Sequence, residues 1–274
     1  MTVDKPKKLR ADVALVERAL AESREKAQAL IMAGLVYIGE EKVLKPSEAV
    51  KPEDQLIVRG AAHPYVSRGG LKLEKALRVF GCDPTGVVAM DLGASTGGFT
   101  DVLLRGGARH VYAIDVGFGQ LDWRIRSDER VTVMERTNAR SITADMFDPV
   151  PTLAVMDVSF ISIKLILPAA FRILGPEGRF ISLIKPQFEA GRERVGKKGV
   201  VSDPVTHADV VESIVRFVPT LGWKTRAIDF SPITGPEGNI EFLADFLPAE
   251  KVDGEITRDD IEAMVKAAHE AHRK

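Results

Sequence analysis

The chain has 274 residues, 45% hydrophobic and 28% charged, the balance of an ordinary globular protein with room for one large and one small domain. Its formal net charge of −1 means that nucleic-acid contact has to come from a local basic patch rather than from bulk charge. A single cysteine, Cys82, excludes an internal disulfide and a thiolate metal cluster, and the five scattered histidines offer no metal-ligating pattern.

Residues 1–8 read as a polar arm without the apolar core of a secretion signal. No apolar run approaches the ~20 residues of a membrane span, so a cytoplasmic protein with no membrane partner is expected. Leu15, Leu20, Ala27, Leu30 and Ile31 predict two short amphipathic helices, with Ser23 capping the second and Gly34 ending it. Val36–Ile38 and Gln55–Val58 read as strands, with proline-punctuated turns at Lys45-Pro46 and Lys51-Pro52 between them. Residues 1–60 thus form a small α+β module, and the short, proline-broken stretch around 61–66 a linker. Regular alternation follows. Strands are predicted at 87–91, 110–115, 131–135, 152–157, 179–185, 223–230 and 240–246, and helices near 67–80, 97–106, 161–174 and 203–218. This spells an α/β domain over 67–248 with a doubly wound, mostly parallel, Rossmann-like sheet. Residues 249–274 carry a C-terminal helix from Thr257, whose His269 and His272 read as part of a solvated tail.

The strand at 87–91 empties into Asp91-Leu-Gly-Ala-Ser-Thr-Gly-Gly-Phe-Thr-Asp101. Gly93 and Gly97 are four apart rather than in G-x-G-x-x-G, and there is no Gly-Lys-Ser/Thr to hold a triphosphate. Such a turn suits a cofactor without phosphates, with S-adenosylmethionine leading. Asp91, Gly93, Ser95 and Gly97 would line its methionine side. Asp115, at the end of the next strand, would take the ribose hydroxyls, a device NAD enzymes share. Asn138 is placed for the adenine edge or for a turn. Asp101 reads as a first-turn helix acid outside the site, and Cys82 as a turn or core cysteine.

Four polar residues fall where strands or an entering helix should open onto that cofactor: Lys72, Asp157, Lys185 and Glu241. Asp157 and Lys185 interrupt strongly apolar strands, and charges in such places are rarely left unpaired; buried salt bridges would account for them structurally. Functionally, a hydroxyl that attacks a methyl sulfonium must lose its proton. A lysine whose ammonium is destabilised by burial and a second lysine can take it, with two carboxylates holding the lysines in place.

Together with the glycine turn, this Lys-Asp-Lys-Glu set resembles the FtsJ-type ribose 2′-O-methyltransferases. The segment from Arg10 through Lys45-Pro46-Ser47 resembles the RNA-binding domain first known in small-subunit ribosomal protein four. With Val66-Ser-Arg-Gly-Gly-Leu-Lys-Leu, Met156-Asp-Val-Ser-Phe-Ile-Ser and Ile184-Lys-Pro-Gln-Phe-Glu-Ala-Gly, the chain over residues 9–247 is similar to the TlyA (hemolysin A) family. The resemblance implies an enzyme that methylates a ribose 2′-hydroxyl, of a cytidine, in ribosomal RNA or ribosomal subunits. It makes Lys185 the central lysine, with Lys72, Asp157 and Glu241 completing the set. Arg10, Arg24 and Lys26, joined by the arm lysines, would meet RNA from the small module, and Arg68, Arg192 and Arg194 from the large one. The loop from Gln187 to Val201, carrying Arg192, Arg194, Lys197 and Lys198, is expected to be mobile and to close over the RNA backbone. The competing classes are a non-catalytic RNA-binding or ribosome-assembly factor and a membrane-active hemolysin. No metal is called for, and the pattern sets no oligomeric state.

Overall fold

The computed structural model describes residues 8–21, 23–32, 34–58 and 63–273. The arm lysines Lys5 and Lys7, and residues 59–62 of the expected linker region, lie outside the described residues. The chain divides into two compact units, residues 1–64 and 65–274.

In the first unit the elements run β1 (Leu9–Arg10), α1 (Ala11–Glu17), α2 (Arg24–Met32), β2 (Val36–Ile38), β3 (Glu41–Lys42), β4 (Ala49–Val50) and β5 (Leu56–Val58). β2 pairs antiparallel with β3 and β5, and β1 with β4. Ala14, Leu15, Ala27, Ile31, Val36, Val50 and Leu56 make the core. Ser23 Oγ accepts the Lys26 N–H at 3.3 Å, the capping role its sequence position suggests. Leu20, expected on the first helix, lies beyond its end because Ala19 adopts φ +55°. Leu20 N–H instead bonds the Leu15 carbonyl at 2.8 Å, and the side chain is exposed.

The second unit runs α3 (Gly70–Val79), β6 (Val88–Leu92), α4 (Gly98–Arg105), β7 (His110–Ile114), α5 (Trp123–Arg126), β8 (Val131–Met134), β9 (Leu153–Met156), α6 (Leu167–Leu174), β10 (Arg179–Ile184), α7 (Pro186–Glu189), α8 (Pro204–Phe217), β11 (Trp223–Phe230), β12 (Phe242–Pro248) and α9 (Arg258–Ala271). One seven-stranded sheet has the order β11-β12-β10-β9-β6-β7-β8. β10, β9, β6, β7 and β8 are parallel, and β12 is antiparallel to both of its neighbours. Both faces are covered. Met90, Met156, Phe180 and Phe246 pack on one side, and Leu73, Leu103, Val111 and Val155 on the other. Strands buried on both faces read as continuous apolar runs, which is why they stand out in the sequence.

Two topological facts position the site. β6 has β7 on one side and β9 on the other, so the winding reverses there and a crevice opens at the carboxyl ends of the strands. Because β12 runs backwards beside β10, with Ile184 opposite Phe242, the start of β12 meets the carboxyl end of β10 at that same edge.

Some boundaries differ from the sequence expectation. The helix expected from 161 begins at Leu167, after a 3-10 turn at Ile163–Leu165, with Pro168 in its first turn where a missing N–H costs nothing. The last strand is shifted by two residues, which leaves Glu241 just before it. The tail histidines are docked rather than solvated. His269 Nε2 lies 2.9 Å from His207 Nδ1 of α8, and His272 Nε2 lies 2.9 Å from the Ser231 carbonyl. Burial pushes His207 down to about 4, so this pair is neutral and hydrogen-bonded at neutral pH.

Candidate active site

The four charged residues selected from the sequence converge at the carboxyl edge of the sheet. Asp157 and Lys185 each stand one residue past the end of β9 and β10, Glu241 stands one residue before β12, and Lys72 comes from the first turn of α3. They form one chain of ion pairs. Lys185 Nζ lies 2.5 Å from Asp157 Oδ1, Asp157 Oδ2 lies 3.2 Å from Lys72 Nζ, and Lys72 Nζ lies 2.6 Å from Glu241 Oε2. Lys72, Lys185 and Glu241 are buried.

Two opposed effects act on the Lys72 ammonium. Burial pushes its pKa down, but the carboxylates of Asp157 and Glu241 outweigh burial, and the net direction is up. Burial likewise pushes Asp157 up, and the two lysines more than reverse it. Lys72 is therefore a fixed cation rather than a lysine with a destabilised ammonium, contrary to the expectation for this pair in its case. The two lysines are not equivalently paired: Asp157 is shared between them, whereas Glu241 faces Lys72 alone among the described ion pairs.

A cavity of about 340 Å³ lies over the switch point and adjoins one of about 240 Å³ that holds the four charged groups. The volume of the first is at the small end of ordinary ligand sites. Gly93, Ser95, Asp157 and Ser159 line both. Asp115 and Asn138 line the larger one, beside apolar Val158, Ile161 and Ile166. The Asp115 carboxylate accepts the Ser95 N–H at 2.8 Å and the Gly117 N–H at 2.7 Å, which fixes its position at the cavity wall. Asn138 also serves the turn, its Oδ1 accepting the Arg140 N–H at 3.0 Å. Gly93 has φ +86°, and a Cβ there would come within 2.7 Å of the Asp157 carbonyl oxygen. The glycine is required for the turn to lie against the strand that carries Asp157.

Two expected lining residues are elsewhere. β6 extends through Leu92, so Asp91 is an internal strand residue, opposite Ala113 and Val155, rather than part of the turn. It is fully buried, its Oδ2 accepts the Thr100 hydroxyl at 2.7 Å, and burial raises it to about 7. Gly97, at φ +94°, caps α4 and faces Leu121 and Ile125, not the cavity. Asp101 is structural, as its omission from the site anticipates: it accepts the Val66 N–H at 2.8 Å and pairs with Arg105 at 2.7 Å. Cys82 is buried, and burial raises its thiol.

The basic residues are distributed unevenly. Arg68 lines the smaller cavity. Arg194 is committed to the Ala190 carbonyl at 2.8 Å and to Asp209 at 3.2 Å, whereas Arg192 is exposed. The 187–201 loop is tethered: the Asn239 side chain accepts the Val201 N–H at 3.0 Å and donates to the Gly199 carbonyl at 2.9 Å. In the first unit Asp12 is fully buried and accepts from Arg10 at 2.9 and 3.1 Å, from Arg24 at 3.1 Å and from Gln28 at 2.9 Å. This explains a base at the start of α2, where the helix dipole disfavours one. Lys26 is exposed on the same helix.

Sequence reasoning missed two residues beside the charged set. Ser159 Oγ accepts from Lys185 Nζ at 3.0 Å. Phe160 is 91% exposed at φ +65°, a conformation rare for an aromatic residue, with its ring 5.1 Å from that of Phe188. Both follow Asp157 in the loop beyond the carboxyl end of β9, the position where ligand-facing residues collect in such sheets.

Comparison with known proteins decides the family. The FtsJ-like methyltransferase model matches residues 65–246, and the S4 domain model matches residues 9–56. The chain belongs to the FtsJ-like methyltransferase family. YqxC of Bacillus subtilis is 51% identical over 96% of this chain and 95% of its own. The 16S/23S rRNA (cytidine-2′-O)-methyltransferase TlyA of Mycobacterium tuberculosis is 44% identical over 86% of this chain and 89% of its own. A solved structure from Streptococcus thermophilus, provisionally described as a hemolysin, is 44% identical, covers 98% of both chains and superposes with a TM-score of 0.77. No helix of this FtsJ-like protein, among the described residues, is long and apolar enough to cross a membrane. The described residues also hold no group of three or more side chains suited to a metal ion.

Proposed function

We propose that this FtsJ-like protein moves a methyl group from S-adenosylmethionine to a ribose 2′-hydroxyl in ribosomal RNA, with a cytidine as the target, as the name of the mycobacterial relative states for that protein. The observation that carries the proposal is the continuous pairing of Lys185, Asp157, Lys72 and Glu241 in a cavity that opens onto the switch-point crevice.

The cavities fit the donor. Asp115 stands where two ribose hydroxyls can be held, the apolar side chains beside Asn138 suit an adenine, and Gly93 with Ser95 gives the close backbone approach at the junction. Acids and carbonyls, with no phosphate-binding lysine, suit a cationic methionine tail. S-adenosylmethionine supplies a methyl group on a positively charged sulfur.

The residues of this chain then do the rest. Asp157 holds Lys185 Nζ at the boundary of the two cavities, and Lys72, itself fixed by Glu241, keeps Asp157 ionised and in place. Lys185, after giving up its ammonium proton to solvent, takes the proton of the attacking hydroxyl, the general-base step this acceptor needs. Arg68, from the lining of the smaller cavity, and exposed Arg192 meet the RNA backbone, and Phe160 offers a face on which a base can stack. The S4 unit adds Arg10, Arg24 and Lys26. Arg10 and Arg24 remain about half exposed while paired to Asp12, so they can turn a face to phosphate without leaving it.

Radiolabelled methyl transfer to isolated ribosomal subunits tests the reading, with Lys185→Ala in parallel. The expected result is label on RNA with the native chain, and RNA binding with only slow residual labelling for Lys185→Ala. Undiminished labelling by Lys185→Ala would remove the lysine from the reaction.

A further inference from the structure

Lys185 has a second built partner that the tetrad does not include. Ser159 lies two residues beyond Asp157, and its Oγ is 3.0 Å from Lys185 Nζ, while Asp157 Oδ1 is 2.5 Å from the same nitrogen. Ser159 is exposed to the cavities and lines both of them, so it stands at the boundary between donor and acceptor. Lys185 and Ser159 are 26 residues apart in sequence, and the parallel pairing of β9 and β10 brings their strand ends side by side.

We propose that Ser159 is a positioning residue for methyl transfer, acting through Lys185; this rests on the assignment of Lys185 as the base above. A neutral lysine nitrogen carries two hydrogens and one lone pair in a tetrahedral arrangement. Ser159 Oγ accepts one hydrogen, and Asp157 Oδ1 lies against the same nitrogen at 2.5 Å as its ion-pair partner. The lone pair is then directed away from both, toward the cavity that Lys185 lines. Without the serine hydroxyl, the second hydrogen is unassigned. The amine can rotate about its Cε–Nζ bond and donate that hydrogen to the incoming ribose oxygen, so the nitrogen meets the hydroxyl as a donor rather than as a base. A lysine stem has three staggered positions about that bond, and Asp157 alone fixes only one hydrogen among them.

The ribose O–H proton passes to the Lys185 lone pair, which makes an ammonium. The oxygen forms a bond to the methyl carbon, and the carbon–sulfur bond breaks with its electron pair staying on sulfur, which becomes a neutral thioether. Ser159 gains and loses nothing; it accepts a hydrogen bond from the lysine before and after. Its hydroxyl hydrogen is left over and can bond outward to the acceptor sugar or to water, so the serine also fills the position opposite Lys185 without competing for the transferred proton.

The test is Ser159→Ala in the full-length protein, with single-turnover methyl transfer to ribosomal subunits over a range of RNA and S-adenosylmethionine concentrations. A misdirected reacting group typically costs up to about 100-fold in rate. The expected result is a fall of at least tenfold in the maximal rate, with half-saturating concentrations of RNA and S-adenosylmethionine within twofold of native and an unchanged melting temperature. The same substitution made in Lys185→Ala, followed over long incubation, should cost nothing further, because the serine acts through the lysine. An unchanged maximal rate, a loss confined to half-saturation, or an equal loss in the Lys185→Ala background would overturn the proposal. Mapping the methyl group made by the native protein separates this from failure of the proposed function: a methyl on a base defeats that reading whatever Ser159→Ala does.

Discussion

Removing Lys72 should harm the protein more through the partners it leaves behind than through its own lost contacts. Its Nζ is 2.6 Å from Glu241 Oε2 and 3.2 Å from Asp157 Oδ2, and the Lys72 and Glu241 side chains are 8% and 1% exposed. After Lys72→Ala, Asp157 keeps Lys185. Glu241 keeps no cation among the described residues, with a side chain only 1% exposed in the native protein. Breaking a buried pair from one side costs about 3–5 kcal/mol because a charge is stranded. In a unit of this size each kcal/mol lowers the melting temperature by about 2–4 °C, so a fall of roughly 6–20 °C is expected. The double variant Lys72→Ala/Glu241→Ala strands nothing and should be more stable than the Lys72→Ala single, with a coupling of about 2 kcal/mol or more. Urea unfolding followed by tryptophan fluorescence reads this cleanly. Both tryptophans, Trp123 and Trp223, belong to the large unit, and buried Trp223 stacks on Phe171 at 4.1 Å. A Lys72→Ala cost below 1 kcal/mol, or a double variant that loses the sum of the singles, would refute the reasoning.

Two further outcomes follow from buried acids. Burial holds the folded-state Asp91 carboxyl at about 7, against 3.8 ordinarily, so the folded chain binds more protons than the unfolded one across that interval and this residue's contribution falls as pH rises. At about 1.4 kcal/mol per unit, Asp91→Asn should gain roughly 4 kcal/mol on native between pH 4 and 8 in urea titrations; parallel curves would contradict the burial argument. In the small unit, Asp12→Ala removes the acceptor of Arg10, Arg24 and Gln28 and should cost about 3 kcal/mol, most of what so small a core supplies. Limited proteolysis should then cut within residues 9–58, and native resistance there would show that Asp12 is dispensable.

How far the sequence disclosed this site depends on the kind of signal. Asp157 and Lys185 are legible because each ends an apolar run that is buried on both faces, so a charge there has to be paired or functional. Glu241 and Lys72 carry a weaker mark, a charge where a strand or an entering helix opens onto the cofactor, and the family resemblance completes the set with them. Their convergence depends on β12 running antiparallel to β10, which periodicity does not reveal. Asp91 misled because β6 runs one residue further than the apolar run suggests, and a single added strand residue turns a lining acid into a buried one. Arg194 and the tail histidines read as solvated or mobile because their partners Asp209, His207 and Ser231 are 15 to 62 residues away. Hydrogen bonds at that separation leave no local trace. Ser159 and Phe160 were hidden among ordinary loop residues until the strand end that carries them was fixed.

The central claim is the chemical position of the methyl group. Ribosomal RNA methylated by the native protein, digested to nucleosides and resolved by mass, should carry the added mass of one CH₂ unit on the ribose fragment of a cytidine. The same mass on a base fragment would contradict the account.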